Sequence, residues 1–188
     1  MNSMALLRFS KETPTWVERM AVLLLLCVFL ALGMYYALST PLLSKPDEIY
    51  HYAYIIHLYE GRGLPVVDTT RTGLSEHTQV ELEGHQPPLY YATVALIARL
   101  LRFREEVSLS SSPYSSGTAC YVPSPALLPV FFTSRFVSLF SGIIALLCGY
   151  SLVRLFAPWQ LAWLSTAWMG LNPQFLFIAT SCSNDMAS

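Results

Sequence analysis

Apolar residues in this chain gather in long runs separated by polar stretches, and the runs are too long for the core helices of a small soluble fold. Met20 to Leu38 is nearly unbroken and matches the ~20 residues a membrane-crossing helix needs. Trp16 and Tyr35-Tyr36 flank it as interface anchors. Ala37-Leu38-Ser39 could pass as a cleavage site, but the run exceeds the ~7 to 15 residues of a signal-peptide core, so an uncleaved anchor is expected. Pro87-Pro88 fit the first turn of a helix continuing to Leu101, and Ala126 to Phe156 and Pro158 to Thr180 are each long enough to cross. Residues 102–125 are Ser- and Pro-rich and read as a flexible connection.

These runs divide the chain into a basic N-terminus (1–19), a first crossing (20–38) and a polar loop (39–86) holding a short helix at about 46–60. A second membrane helix (87–101), a connection (102–125), two further crossings (126–156 and 158–180) and a short end (181–188) follow. The expected fold class is an all-α polytopic membrane protein. Asn184-Asp185 fall almost at the last residue, without a polar tail or closing helix, which suggests the amino-terminal piece of a longer protein.

Charge supports this division and orients it. Only 12% of residues are charged and 54% are hydrophobic, against ~25% charged in soluble domains. Residues 107–134, 136–153 and 155–184 carry no charge at all. Arg8, Lys11 and Arg19 precede the first crossing, whereas residues 39–86 hold seven acids against three bases. The bias of basic residues toward the cytoplasm places the N-terminus and Arg154 inside and the acidic loop outside. Arg102 and Arg104 favour the inside as well, which one crossing before Arg154 does not satisfy, so residues 89–125 have no assigned side. The net charge of −1 leaves no basic footprint for nucleic acid. The four cysteines lack zinc spacing and are expected to be packing thiols, a Cys120–Cys182 disulfide being the alternative.

The candidate chemistry begins at Lys45-Pro46-Asp47-Glu48, just beyond the first crossing. On a helix of about 100° per residue, Asp47, Glu48 and His51 share one arc, with Ile49, Tyr52, Ala53 and Ile56 opposite. The segment is thus an amphipathic surface helix with an acidic and imidazole edge. The plainer expectation is a helix start: Ser44-x-x-Asp47 resembles a capping box, and acids in the first turn suit the helix dipole. His85-Gln86 precede the Pro pair, Arg135 lies inside an apolar run, and Asp185 follows another. A charge near the bilayer centre costs at least ~2.5 to 3.5 kcal/mol, so Arg135 either snorkels to the interface or has an anionic partner. A phosphate is one such partner, because its oxygens match the guanidinium fork.

Taken in order, "KPDEIYHY", "GHQPPLYYA", "RFVSLFSG" and "NPQFLFIATSCSND" resemble the start of a polytopic glycosyltransferase that uses a polyprenyl-phosphate sugar donor. The family is the protein mannosyltransferase and aminoarabinose transferase superfamily, glycosyltransferase family 39-like, with the GT-C fold, and the similarity runs over residues 16–188. The resemblance implies that Asp47 is the acid of the first outer loop, deprotonating or orienting an acceptor hydroxyl as polyprenyl phosphate leaves with inversion, with Glu48 its second carboxylate. His51, His85, Gln86, Arg135 and Asp185 become candidates for binding the donor phosphate or substrate. Aminoarabinose transferases place a Lys before the Pro pair where this chain has Gln86, so the phosphate charge falls to Arg135 or His85. The implied partners are the lipid-linked sugar, an acceptor protein or glycolipid, and membrane lipids. No metal site or certain cofactor is implied, a divalent cation being the one candidate. Two other classes fit the same residues: a transporter or scaffold whose charges serve packing or a substrate path, and a metal-dependent membrane hydrolase with Asp47 and His51 at helical spacing.

Overall fold

A computed structural model describes residues 16–66, 80, 83–103 and 128–186. The described residues form six helices and no strand: α1 (Trp16–Ser39), α2 (Glu48–Tyr59), α3 (Leu89–Leu100), α4 (Leu128–Arg154), α5 (Trp159–Gly170) and α6 (Pro173–Ala179). Helices α1, α2 and α3 cover the stretches in which helices are expected, at residues 20–38, about 46–60 and 87–101. The 102–125 connection lies mostly outside the described residues, as does Cys120. Of the other cysteines, Cys27 and Cys148 are exposed on their helices and only Cys182 packs inside.

Two helices, α1 and α4, are long and apolar enough to cross a membrane. The uninterrupted crossing expected over residues 158–180 is instead two helices, because Pro173 has no amide hydrogen to give a preceding carbonyl and its ring clashes with the helix before it. Asn172 turns to extended backbone, and its side-chain oxygen accepts from the Gln174 amide to start α6 afresh.

α4 is the central element. It runs antiparallel to α1: Arg154 at its end pairs with Glu18 at the start of α1, and Arg135 near its beginning reaches the last carbonyls of α1. Helices approach closely where small residues remove side-chain bulk. Gly33 of α1 faces Leu139, and Gly142 of α4 lies between Phe29 and Ala179. α5 and α6 return along α4, tied to α1 by the Trp163 indole donating to the Ala21 carbonyl and by the Phe29–Phe175 ring contact. One apolar cluster joins Phe29, Leu139, Leu146, Leu176 and Ala179. A second, at the end of the bundle where α1 finishes, joins α2 and α3 to the start of α4.

α2 therefore does not float on the bundle with one face outward. Tyr52, Tyr54, Ile55 and Ile56 are buried, and so are Glu48 and His51 on the arc expected to be its polar edge. Tyr54 stacks on Tyr91 of α3 with ring centroids 4.0 Å apart. Arg99 of α3 donates to the Leu58 and Tyr59 carbonyls at the C-terminal end of α2, where a cation suits both the unpaired carbonyls and the dipole.

Candidate functional site

The two adjacent acids meet opposite fates because the helix begins between them. Glu48 is the first residue of α2 and is fully buried. Asp47 lies just outside the helix in the left-handed region at φ 58, is exposed, and makes no side-chain capping bond. The capping-box expectation is thus corrected: the Ser44 hydroxyl donates to the Pro41 carbonyl instead, and Asp47 contributes only its backbone carbonyl, which accepts from Tyr50 and His51. A non-glycine residue at positive φ is uncommon, and Asp and Asn tolerate it best.

Glu48 is one half of a buried fork. Arg135 Nε donates to its Oε1 at 3.1 Å and Nη2 to its Oε2 at 3.0 Å. The same guanidinium donates to the carbonyls of Ala37, Thr40 and Pro41 at 2.7, 2.9 and 3.0 Å. All five N–H directions of the fork are used. The Cys182 amide adds a third bond to Glu48 at 2.9 Å. Arg135 is neither an interfacial snorkeller nor open to a phosphate: its anionic partner is inside the chain. The end of α1, the start of α2, α4 and the segment after α6 are joined through these two side chains.

Lys45 is the other cation nearby and is also buried, donating to the Phe177 carbonyl at 3.0 Å and the Thr180 hydroxyl at 2.8 Å, at the end of α6. Burial first, and then the field of Arg135, pull its ammonium down to about 8.

Above this pair lies a ring of groups assembled from three parts of the chain. His51 Nδ1 is 2.7 Å from the Tyr91 hydroxyl and 3.9 Å from Glu83 Oε2, an oxygen that has no hydrogen-bond partner of its own. Asp185 and Asp47 are near enough for their charges to act on His51. The Asn184 amide donates to Gln86 Oε1 at 3.0 Å, holding the Pro-Pro entry against the segment after α6, and the Ser183 hydroxyl donates to Asp185. Gln86 is thus tied to the segment holding Asp185, and the charges of Asp185, Asp47 and Glu48 all reach His51. His85 is exposed and has no bond into this group. Glu83 and Tyr91 carry more of the contact to His51 than any residue singled out by the sequence pattern. The signal for Tyr91 was its place one turn into the helix after the Pro pair. Among the described residues no set of three metal-ligating side chains converges.

Burial lowers His51 below its ordinary value of 6.5, against the opposing fields of Glu83, Asp185, Asp47 and Glu48. The folded state holds the ring neutral, so the unfolded chain takes up the proton first as the pH falls. The stability tied to His51 is therefore complete above 6.5 and is lost progressively below it. The unfolding midpoint of the wild type is expected to drop between about pH 7 and pH 5.5, and that of His51→Gln to drop less. Identical slopes for the two proteins would assign the acid sensitivity to other groups.

No family model, no curated protein and no solved structure matches this chain.

Proposed function

We propose that the chain is part of a membrane glycosyltransferase that moves a sugar from a polyprenyl-phosphate donor to an acceptor hydroxyl, with Asp47 as the acceptor's base. The observation that carries this reading is the division of labour between the two acids. Glu48 is consumed in holding the fold together, while Asp47 is exposed, uncapped and held at φ 58, with its charge reaching His51. A carboxylate that served only to start a helix would bond the first-turn amides, and this one does not.

In the proposed reaction the acceptor oxygen forms its bond to the anomeric carbon as the bond from that carbon to the phosphate oxygen breaks. Polyprenyl phosphate leaves with the bonding pair, the configuration inverts, and the hydroxyl proton passes to Asp47. An apolar groove of about 390 Å³ between α3 and α4 opens beside the Pro-Pro entry, lined by Leu89, Tyr90, Val137, Phe140 and Met186. It offers the isoprenoid chain a path along the bundle. Because Arg135 is saturated, the donor phosphate falls to His85. The basic N-terminus and Arg154 then lie on the cytoplasmic side, and the reaction proceeds on the other face.

The saturation of Arg135 also favours a second reading, a polytopic scaffold or transporter whose membrane charge serves packing alone. The full-length protein in detergent, given a radiolabelled polyprenyl-phosphate hexose, separates the two. Saturable binding of the donor and release of polyprenyl phosphate are expected of the transferase. An absence of saturable binding would leave the scaffold.

A further inference from the structure

At the opposite end of the bundle, where α1 begins and α4 finishes, a second polar cluster sits beneath a groove of different character. Glu18 is buried, and its Oε1 accepts from the Tyr150 hydroxyl at 2.5 Å and from Arg154 Nε at 3.0 Å. This cluster joins the two long helices and leaves a groove of about 480 Å³ between them.

The lining of the groove changes along its length. On α1, Arg19, Val22, Leu23 and Leu26 line it, and spacings of three, four and seven residues place them on one helix face. On α4, Leu147 and Ser151 face them, with Arg154 at the mouth. Among the described residues, the mouth holds the Arg19 and Arg154 guanidinium groups and the Glu18 carboxylate, which accepts from Tyr150 and Arg154. Arg19 is exposed and takes no part in that network. From Arg19 to Leu26 the groove descends about 10 Å through apolar side chains at 1.5 Å per residue. A positive mouth at a helix end above an apolar slot between two membrane-length helices matches the two halves of an anionic lipid.

We propose that this groove binds an anionic phospholipid, with its phosphate on Arg19 and an acyl chain along Val22, Leu26 and Leu147. A zwitterionic lipid offers the same tail but brings its own cation to the mouth, where it meets the arginines unfavourably. The site is on the far end from Asp47 and is independent of any transferase activity.

Native mass spectrometry of the full chain released from micelles tests the assignment, with dioleoyl phosphatidylglycerol and dioleoyl phosphatidylcholine as probes. Phosphatidylglycerol is expected to stay bound in preference to phosphatidylcholine, and Arg19→Gln to reduce its retention about fivefold. Phosphatidylcholine retention should not change. Arg19 lies outside the Glu18 cluster, so its variant should keep the wild-type unfolding midpoint, whereas Arg154→Gln would also disturb the helix pair. Equal retention of the two lipids, or retention unaffected by Arg19→Gln, would overturn the proposal. So would displacement of the lipid by inorganic phosphate at equal concentration, which would make the mouth a free-phosphate site, or an Arg19-dependent dimer filling the groove.

Discussion

Arg135→Met is expected to destabilise the folded chain by about 3 to 5 kcal/mol, the cost of leaving a buried charge without its partner. The variant strands Glu48, which is fully buried and keeps only the Cys182 amide. It also removes the donors that satisfy the Ala37, Thr40 and Pro41 carbonyls at the end of α1. Glu48→Leu should cost a comparable amount by stranding Arg135 in turn. The double variant Glu48→Leu with Arg135→Met should recover part of the loss, because neither charge is then buried alone. Reversible unfolding in detergent with increasing denaturant measures all four proteins. Additive losses in the double variant would mean that the two side chains act separately, contrary to the fork.

Asp47→Asn should do the reverse, leaving the unfolding midpoint within about 0.5 kcal/mol of wild type and reducing sugar transfer by the full-length protein by about 10² to 10⁴. Asparagine is chosen because it keeps the shape of the side chain and accepts the left-handed backbone at this position, whereas alanine would add strain of about 1 kcal/mol there. Position 47 has φ 58, so Asp47→Ala would confuse a chemical loss with a folding one. Wild-type turnover by Asp47→Asn would remove Asp47 from the reaction. A lowered midpoint with proportionate loss of activity would return it to a structural role.

The contrast between these neighbours shows what local pattern reveals and what it misses. Apolar run length located α1 and α4, because a membrane-length helix announces itself within one window, and the Pro87-Pro88 pair marked the start of α3. The α5–α6 boundary was also written in the sequence at Asn172-Pro173, but a run of apolar residues on both sides outweighed it. Helical spacing grouped Asp47 with Glu48, although a spacing of 100° applies only inside a helix and Asp47 is outside it. For Arg135 the physics was legible and the partner was not: a membrane arginine needs an anion, but Glu48 lies 87 residues away along the chain. His51 meets Tyr91 across 40 residues, and contacts at such separations follow from how α2 folds back onto α3, which one amphipathic helix does not encode.

The order in which these charges leave the ribosome has a consequence for assembly. Glu48 and the end of α1 are synthesised well before Arg135, so the counter-charge and carbonyl acceptors of that guanidinium exist before α4 packs. An arginine that would resist partitioning alone arrives at a prepared berth. The Glu48–Arg135 fork thus sets the register in which α4 seats against the helices made before it.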